Sequence, residues 1–203
     1  MHPYEVYDLR EDDPFVLPGS ECLKNLLGVS DTKTLNTLER QITGPMLLSL
    51  QQTPVEPTFD LAHLCKIHHR LFYRIYPFAG KVRNVEIAKG GRLFLPHGLI
   101  EKVSKETFEE LKSENYLVGL QEDKFVERIG YYFGAINTIH PFREGNGRTQ
   151  RVLIDQLAQK CGYAIRWSAM SGHAVAEASA ALLAGDKTGK ALAKLVSINL
   201  YRI

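Results

Sequence analysis

Residues 123–162 constrain the fold more than any other part of the sequence. Phe125, Val126, Ile129, Tyr132, Phe133 and Ile136 recur at a spacing near 3.6. That pattern specifies an amphipathic helix over 123–139, with Asp123 as its expected N-cap. Pro141, Gly145 and Gly147 then interrupt it, a combination that a helix interior does not accept. A second helical stretch, 147–161, follows and closes at Gly162, a natural C′ residue. A helix, a glycine-rich turn and a second helix must therefore meet at one place.

The remaining segments are mostly helical as well. Residues 31–50 carry Leu35, Leu38, Ile42, Met46, Leu47 and Leu50 at helical spacing, with Gly44-Pro45 expected to break or restart the helix. Residues 60–76 form a clear amphipathic helix stopped by Pro77. Helices are also expected at 100–115, 174–183 and 190–200. Residues 82–95 differ: two short β-prone runs flank Gly90-Gly91 and read as a hairpin ended by Pro96. The fold class is mainly α, a helical bundle with one inserted β-hairpin.

A chain of 203 residues fits one domain, and 25 basic against 23 acidic residues give no basic excess of the kind that marks nucleic-acid binders. No direct nucleic-acid partner is expected. Cys22, Cys65 and Cys161 are odd in number and share no CxxC spacing, which speaks against a disulfide framework or zinc site. The acidic start, with Glu5, Asp8, Glu11, Asp12 and Asp13, has no Sec-type signal pattern. No apolar run approaches the roughly 20 residues of a membrane span. The expectation is a cytoplasmic bacterial protein with no membrane partner, and export as an effector through another signal stays open.

The chemistry concentrates in 140–151: His140-Pro141-Phe142-Arg143-Glu144-Gly145-Asn146-Gly147-Arg148-Thr149-Gln150-Arg151. A Gly-x-Gly turn feeding a helix N-terminus presents backbone N–H groups and the positive end of the helix dipole, which suit phosphate. Arg148 and Arg151 are three apart, share a helix face, and can chelate phosphate oxygens. Glu144 is a carboxylate beside this turn, as needed where Mg²⁺ is held by one carboxylate and substrate phosphates. His140 ends the preceding helix, the place for a general base facing the turn.

Those residues match, at every defined position, the motif His-x-Phe-x-Asp/Glu-Gly-Asn-Gly-Arg-x-x-Arg, and the chain resembles the Fic family. The resemblance extends to Asp13-Pro14-Phe15, Leu23-Lys24-Asn25-Leu26-Leu27-Gly28, residues 67–72, residues 76–83, and a C-terminal part containing Gly185-Asp186. It implies a single Fic domain over 1–203, with a core at about 60–165, a hairpin flap at about 82–97 and a catalytic loop at 140–151. It further implies a protein adenylyltransferase. His140 would deprotonate a Tyr, Thr or Ser hydroxyl of a target, which attacks the α-phosphorus of ATP. Glu144 would hold Mg²⁺. Gly145, Asn146 (with its side chain) and Gly147 would form the anion hole, and Arg148 and Arg151 would hold the departing phosphates. The flap around Lys89, Gly90 and Gly91 would register a target segment by strand pairing.

The family's inhibitory pattern, Ser/Thr-x-x-x-Glu-Gly/Asn, does not occur in the sequence. A separate small antitoxin supplying a glutamate against Arg151 is then the implied partner, as in toxin–antitoxin members. Type II topoisomerase ATPase subunits are the target that this class implies; a secreted effector acting on host GTPases is the alternative. Transfer of UMP, phosphate or phosphocholine, and a non-catalytic binding module, are further alternatives. Other residues have plainer readings: Arg143 as surface, Phe142, Tyr163 and Trp167 as core, His68 and His69 as helix residues without a metal cluster, and His97 as an even choice for the target groove.

Overall fold

The computed structural model describes residues 13–183 and 188–203. Residues 1–12 and the pair Gly185-Asp186 lie outside the described residues. Seven α-helices are described: α1 (Thr32–Gln52), α2 (Leu61–Phe72), α3 (Ile100–Ser113), α4 (Glu122–Ile139), α5 (Asn146–Lys160), α6 (Gly172–Leu183) and α7 (Lys190–Asn199). Two antiparallel pairs accompany them, β1 (Ala88–Lys89) with β2 (Arg92–Leu93), and β3 (Tyr163–Ile165) with β4 (Leu200–Arg202). The mainly helical class with an inserted hairpin is what the sequence led us to expect.

Helix α4 is the centre of the core. Its stripe Phe125, Ile129, Tyr132, Phe133 and Ile136 is buried throughout, and each such side chain stabilises the fold by about 1.5–3 kcal/mol relative to exposure. Helices α3, α5, α6 and α7 pack around it, and α2 packs on α5. Tyr163 stacks on Phe125 at 4.5 Å, and half-buried Trp167 meets Phe133 edge-on, so both are core residues.

Several boundaries differ from the sequence reading. Helix α1 continues through Pro45 rather than breaking. Pro45 and Gln41 are both exposed, so the carbonyl that Pro45 cannot serve faces solvent. Helix α2 begins at the Asp60 cap, whose Oδ1 accepts from His63 N–H at 2.7 Å, but ends at Phe72. The chain then turns, with the Ile75 and Tyr76 amides both donating to the Phe72 carbonyl. The N-cap of α4 is Gln121, without a side-chain bond, and Asp123 lies inside the first turn. The β1–β2 ladder is only two residues long, turning through Gly90 (φ 59°) and Gly91 (φ 73°), left-handed values that glycine adopts without strain. The β3–β4 pair was not anticipated; its strands are three residues each and far apart in sequence.

Candidate nucleotide-phosphate site

The loop between α4 and α5 is held from below by Arg83. This guanidinium is 2 % exposed. It donates to the carbonyls of His140 (2.8 Å), Val85 (2.7 Å), Leu95 (2.5 Å) and Ile139 (3.4 Å), and its own amide donates to Pro141 O. One side chain thus ties the base of the flap to the start of the loop. It also offsets a local cost, because His140 has left-handed backbone angles (φ 48°, ψ 62°), which cost a non-glycine residue about 1–2 kcal/mol.

The His140 ring is buried and stacked on Phe94 of the flap, 3.7 Å between centroids. Its Nδ1 lies 2.9 Å from the Asn137 carbonyl, which can only accept, so Nδ1 carries the proton. In the neutral ring the basic lone pair is therefore on Nε2. Burial, with smaller contributions from the Lys89 and Arg83 charges, pushes the His140 pKa down to about 3. The imidazole is neutral across the physiological range.

His68 holds the next part of the loop. It is sandwiched against Phe142 (4.0 Å) and Phe72, accepts the Gly80 N–H at Nδ1 (2.8 Å) and donates from Nε2 to the Glu144 carbonyl (2.9 Å). Burial pushes its pKa down to about 4, so both hydrogen bonds are made by the neutral ring. The Asn146 side chain bonds the Phe142 backbone twice, accepting its N–H and donating to its C=O. These bonds turn the side chain toward the loop rather than outward.

Gly145 has φ 80°, and a Cβ there would sit 2.4 Å from the Phe72 ring. Only glycine fits this position. Gly145 offers α5 no side-chain cap, and the neighbouring Gly147 is exposed, where an added Cβ would meet nothing within 4 Å. At Gly147 the first turn of α5 therefore presents backbone to open space, at the positive end of the helix dipole.

Charged side chains surround this turn. Glu144 Oε1 accepts the Gly145 N–H at 2.7 Å and lies 3.6 Å from Arg148. Burial and then the Glu39 charge push the Glu144 carboxyl above its usual range, a strain that a bound cation would relieve. Arg148 donates to Glu39 Oε1 at 2.6 Å and to Thr43 Oγ1 at 3.3 Å, and its guanidinium lies over the Phe72 ring. Arg151, one turn on, has no acidic partner among the described residues. Burial and the Arg148 charge lower its pKa. Both arginines line a cavity of about 310 Å³ bounded by Leu47, Leu50, Val152 and Trp167.

Glu144, Gly145 and Arg148 are thus linked at one turn, and Arg148 and Arg151 share one cavity; His140 precedes this turn, stacked on Phe94, Asn146 bonds back to Phe142, and Gly147 lies exposed in the first turn of α5. Lys89 acts on this site from the flap through its charge on His140 and Glu144; Gly90 and Gly91 form the hairpin turn. One plainer reading is overturned: Arg143 is buried, not surface, and its Nε donates to Asp13 Oδ2 at 2.7 Å, both side chains being nearly inaccessible. His97 is exposed beyond the flap and bonds Glu86. The roles of Arg83, His68, Phe94, Glu39 and Asp13 were not foreseen. Their partners lie far away in the chain, so no local spacing reveals them.

A model of the Fic/DOC family matches residues 58–158. The chain is 39% identical over 179 residues to Protein adenylyltransferase VbhT of Bartonella schoenbuchensis, covering 88% of this chain but only 37% of that relative. It is 35% identical over 174 residues to Probable protein adenylyltransferase Fic of Salmonella typhimurium, covering 86% of each. The fold matches the crystal structure of BepC, a VirB-translocated effector protein from Bartonella tribocorum with bound AMPPNP, at a TM-score of 0.87 and 24% identity, covering 96% of this chain and 100% of that one. With a relative matched over most of both lengths, and with the loop geometry described, the chain belongs to the Fic/DOC family.

Proposed function

We propose that this protein transfers AMP from ATP to a Tyr, Thr or Ser hydroxyl of a target protein and releases pyrophosphate. The observation that carries this reading is the neutral His140, with its lone pair on Nε2, fixed beside the uncapped start of α5. The hydroxyl proton passes to His140 Nε2 as the hydroxyl oxygen bonds to the α-phosphorus. The bond from that phosphorus to the bridging oxygen of the β-phosphate breaks, and pyrophosphate departs toward Arg148 and Arg151. The triphosphate's negative charge favours the imidazolium that forms, against the burial that holds it neutral beforehand. The backbone turn at 145–147 stabilises the charge that develops on the α-phosphate oxygens. Relatives named as protein adenylyltransferases support the same reading.

Mg²⁺ fits this site through Glu144. Among the described residues no group of three His, Cys, Asp or Glu side chains could form an all-protein cage. A single carboxylate completed by substrate phosphates is the ordinary magnesium arrangement. When bound, the ion would supply charge neutralisation across the phosphates.

Regulation by a separate antitoxin is part of the reading. Its support is that Arg151 lines the same cavity as Arg148, where a glutamate from a partner would compete with phosphate. Among these residues no helix is long and apolar enough to cross a membrane. The decisive assay incubates the protein with Mg²⁺ and ATP labelled at the α- or the γ-phosphate, beside His140→Ala. Type II topoisomerase ATPase subunits are the first substrates to try, with host GTPases as the alternative. Label from the α-phosphate on a protein band, lost in the variant, supports AMP transfer. Label from the γ-phosphate alone sinks it.

A further inference from the structure

Arg148 enters the site already engaged by α1. Its NH2 group is 2.6 Å from Glu39 Oε1 and its NH1 group 3.3 Å from Thr43 Oγ1. The second carboxylate oxygen of Glu39 accepts from the Tyr76 hydroxyl. Tyr76 is itself buried and stacked on Phe78 at 4.8 Å. The Arg148 guanidinium lies 4.7 Å from the centre of the Phe72 ring, the same ring that closes over Gly145. Three elements (α1, α2 and the turn after α2) therefore fix one arginine of α5.

We propose that Glu39, anchored by Tyr76, is a positioning residue that fixes the Arg148 guanidinium beside the phosphate-binding turn. This role rests on Arg148 being a phosphate ligand, as in the proposed transfer. A guanidinium has five N–H donors, and Glu39 and Thr43 engage only part of them. The rest make no hydrogen bond among the described residues, the Glu144 carboxylate lying 3.6 Å away. An arginine frozen in advance loses less conformational freedom when the anion arrives.

A rival view makes Glu39 a competitor that must release Arg148 before phosphate can bind. The burial argues against it. The Glu39 side chain is 8 % exposed and both of its oxygens are engaged. Release would strand a buried carboxylate without its cation, the costly way to break such a pair. The position also differs from the inhibitory pattern: Leu35, not Ser or Thr, stands four residues before Glu39, and the paired arginine is Arg148 rather than Arg151.

The test separates position from charge. Glu39→Asp keeps the negative charge but is one methylene too short to span Tyr76 and Arg148. Glu39→Gln keeps the length and an acceptor oxygen but loses the charge. Each is made alone and together with Arg148→Ala, and affinity for inorganic pyrophosphate is measured by calorimetry, with thermal unfolding as a control of folding. Positioning predicts that Glu39→Asp weakens pyrophosphate binding by about tenfold, the scale of one charge-assisted hydrogen bond. It predicts that Glu39→Gln binds more tightly than Glu39→Asp, and that Glu39→Asp has no further effect once Arg148 is alanine. Unchanged or tighter binding by Glu39→Asp overturns the role. So does a loss of equal size in the Arg148→Ala background, which would mark a merely structural effect. Because binding is read directly, a wild-type protein that binds pyrophosphate but labels no target refutes AMP transfer without touching this result.

Discussion

Replacing Arg83 by lysine should loosen the loop that carries His140. In the native protein the guanidinium serves four carbonyls, those of His140, Val85, Leu95 and Ile139. A lysine ammonium is a single point charge on a shorter reach and can satisfy one or two of them. Each lost charge-assisted bond to a buried carbonyl costs about 1.5–3 kcal/mol, so losing two gives about 3–6 kcal/mol. For a chain of this size that corresponds to a fall in Tm of about 10 °C. Urea unfolding followed by far-UV circular dichroism measures the loss. Hydrogen exchange locates it: the Arg83 amide, which donates to Pro141 O, and the Leu95 amide, which donates to Thr138 O, should exchange faster than those in the middle of α4. A variant within about 0.5 kcal/mol of wild type, the usual range of an inconsequential surface change, would refute the claim that Arg83 clamps flap and loop together.

Three further outcomes follow from the same geometry. Gly145→Ala should unfold or severely destabilise the protein, since its Cβ would lie 2.4 Å from the Phe72 ring at a backbone φ of 80°, whereas Gly147→Ala should keep its thermal stability yet bind ATP more weakly by calorimetry. Asp13→Asn should destabilise the protein in urea, because it removes the carboxylate charge that Arg143 Nε meets at 2.7 Å in a nearly inaccessible pair; a change below about 1 kcal/mol would mean that this pair contributes little. Stability should fall on acidification from the ordinary histidine value of 6.5 toward 4, because the unfolded chain takes up protons there that neutral His140 and His68 refuse. Glu144, with a raised pKa, acts in the opposite direction, its contribution being present at low pH and lost as pH rises through its folded value. The acid loss should shrink in His68→Gln, and an unchanged pH dependence there would contradict the assignment.

The sequence carried the helices with strong apolar periodicity because burial on α4 imposes that period directly, and it carried the flap turn because two adjacent left-handed residues call for Gly90-Gly91. It marked the 140–151 turn because anion binding by backbone needs glycine at fixed positions, and only Gly145 and Gly147 supply it there. Boundaries set by the surroundings were less legible. Pro45 stays helical because its unserved carbonyl faces water, and three-residue strands such as β3 and β4 are too short to show a period. What only the tertiary structure decided was the support of the site. Arg83 reaches 57 residues along the chain to His140, His68 reaches 76 to Glu144, Glu39 reaches 109 to Arg148, and Asp13 reaches 130 to Arg143. The residues proposed to contact phosphate sit on one short turn and could be read together. Those that hold that turn in place are set by packing between helices, where charge, burial and hydrogen bonding are decided by neighbours in space.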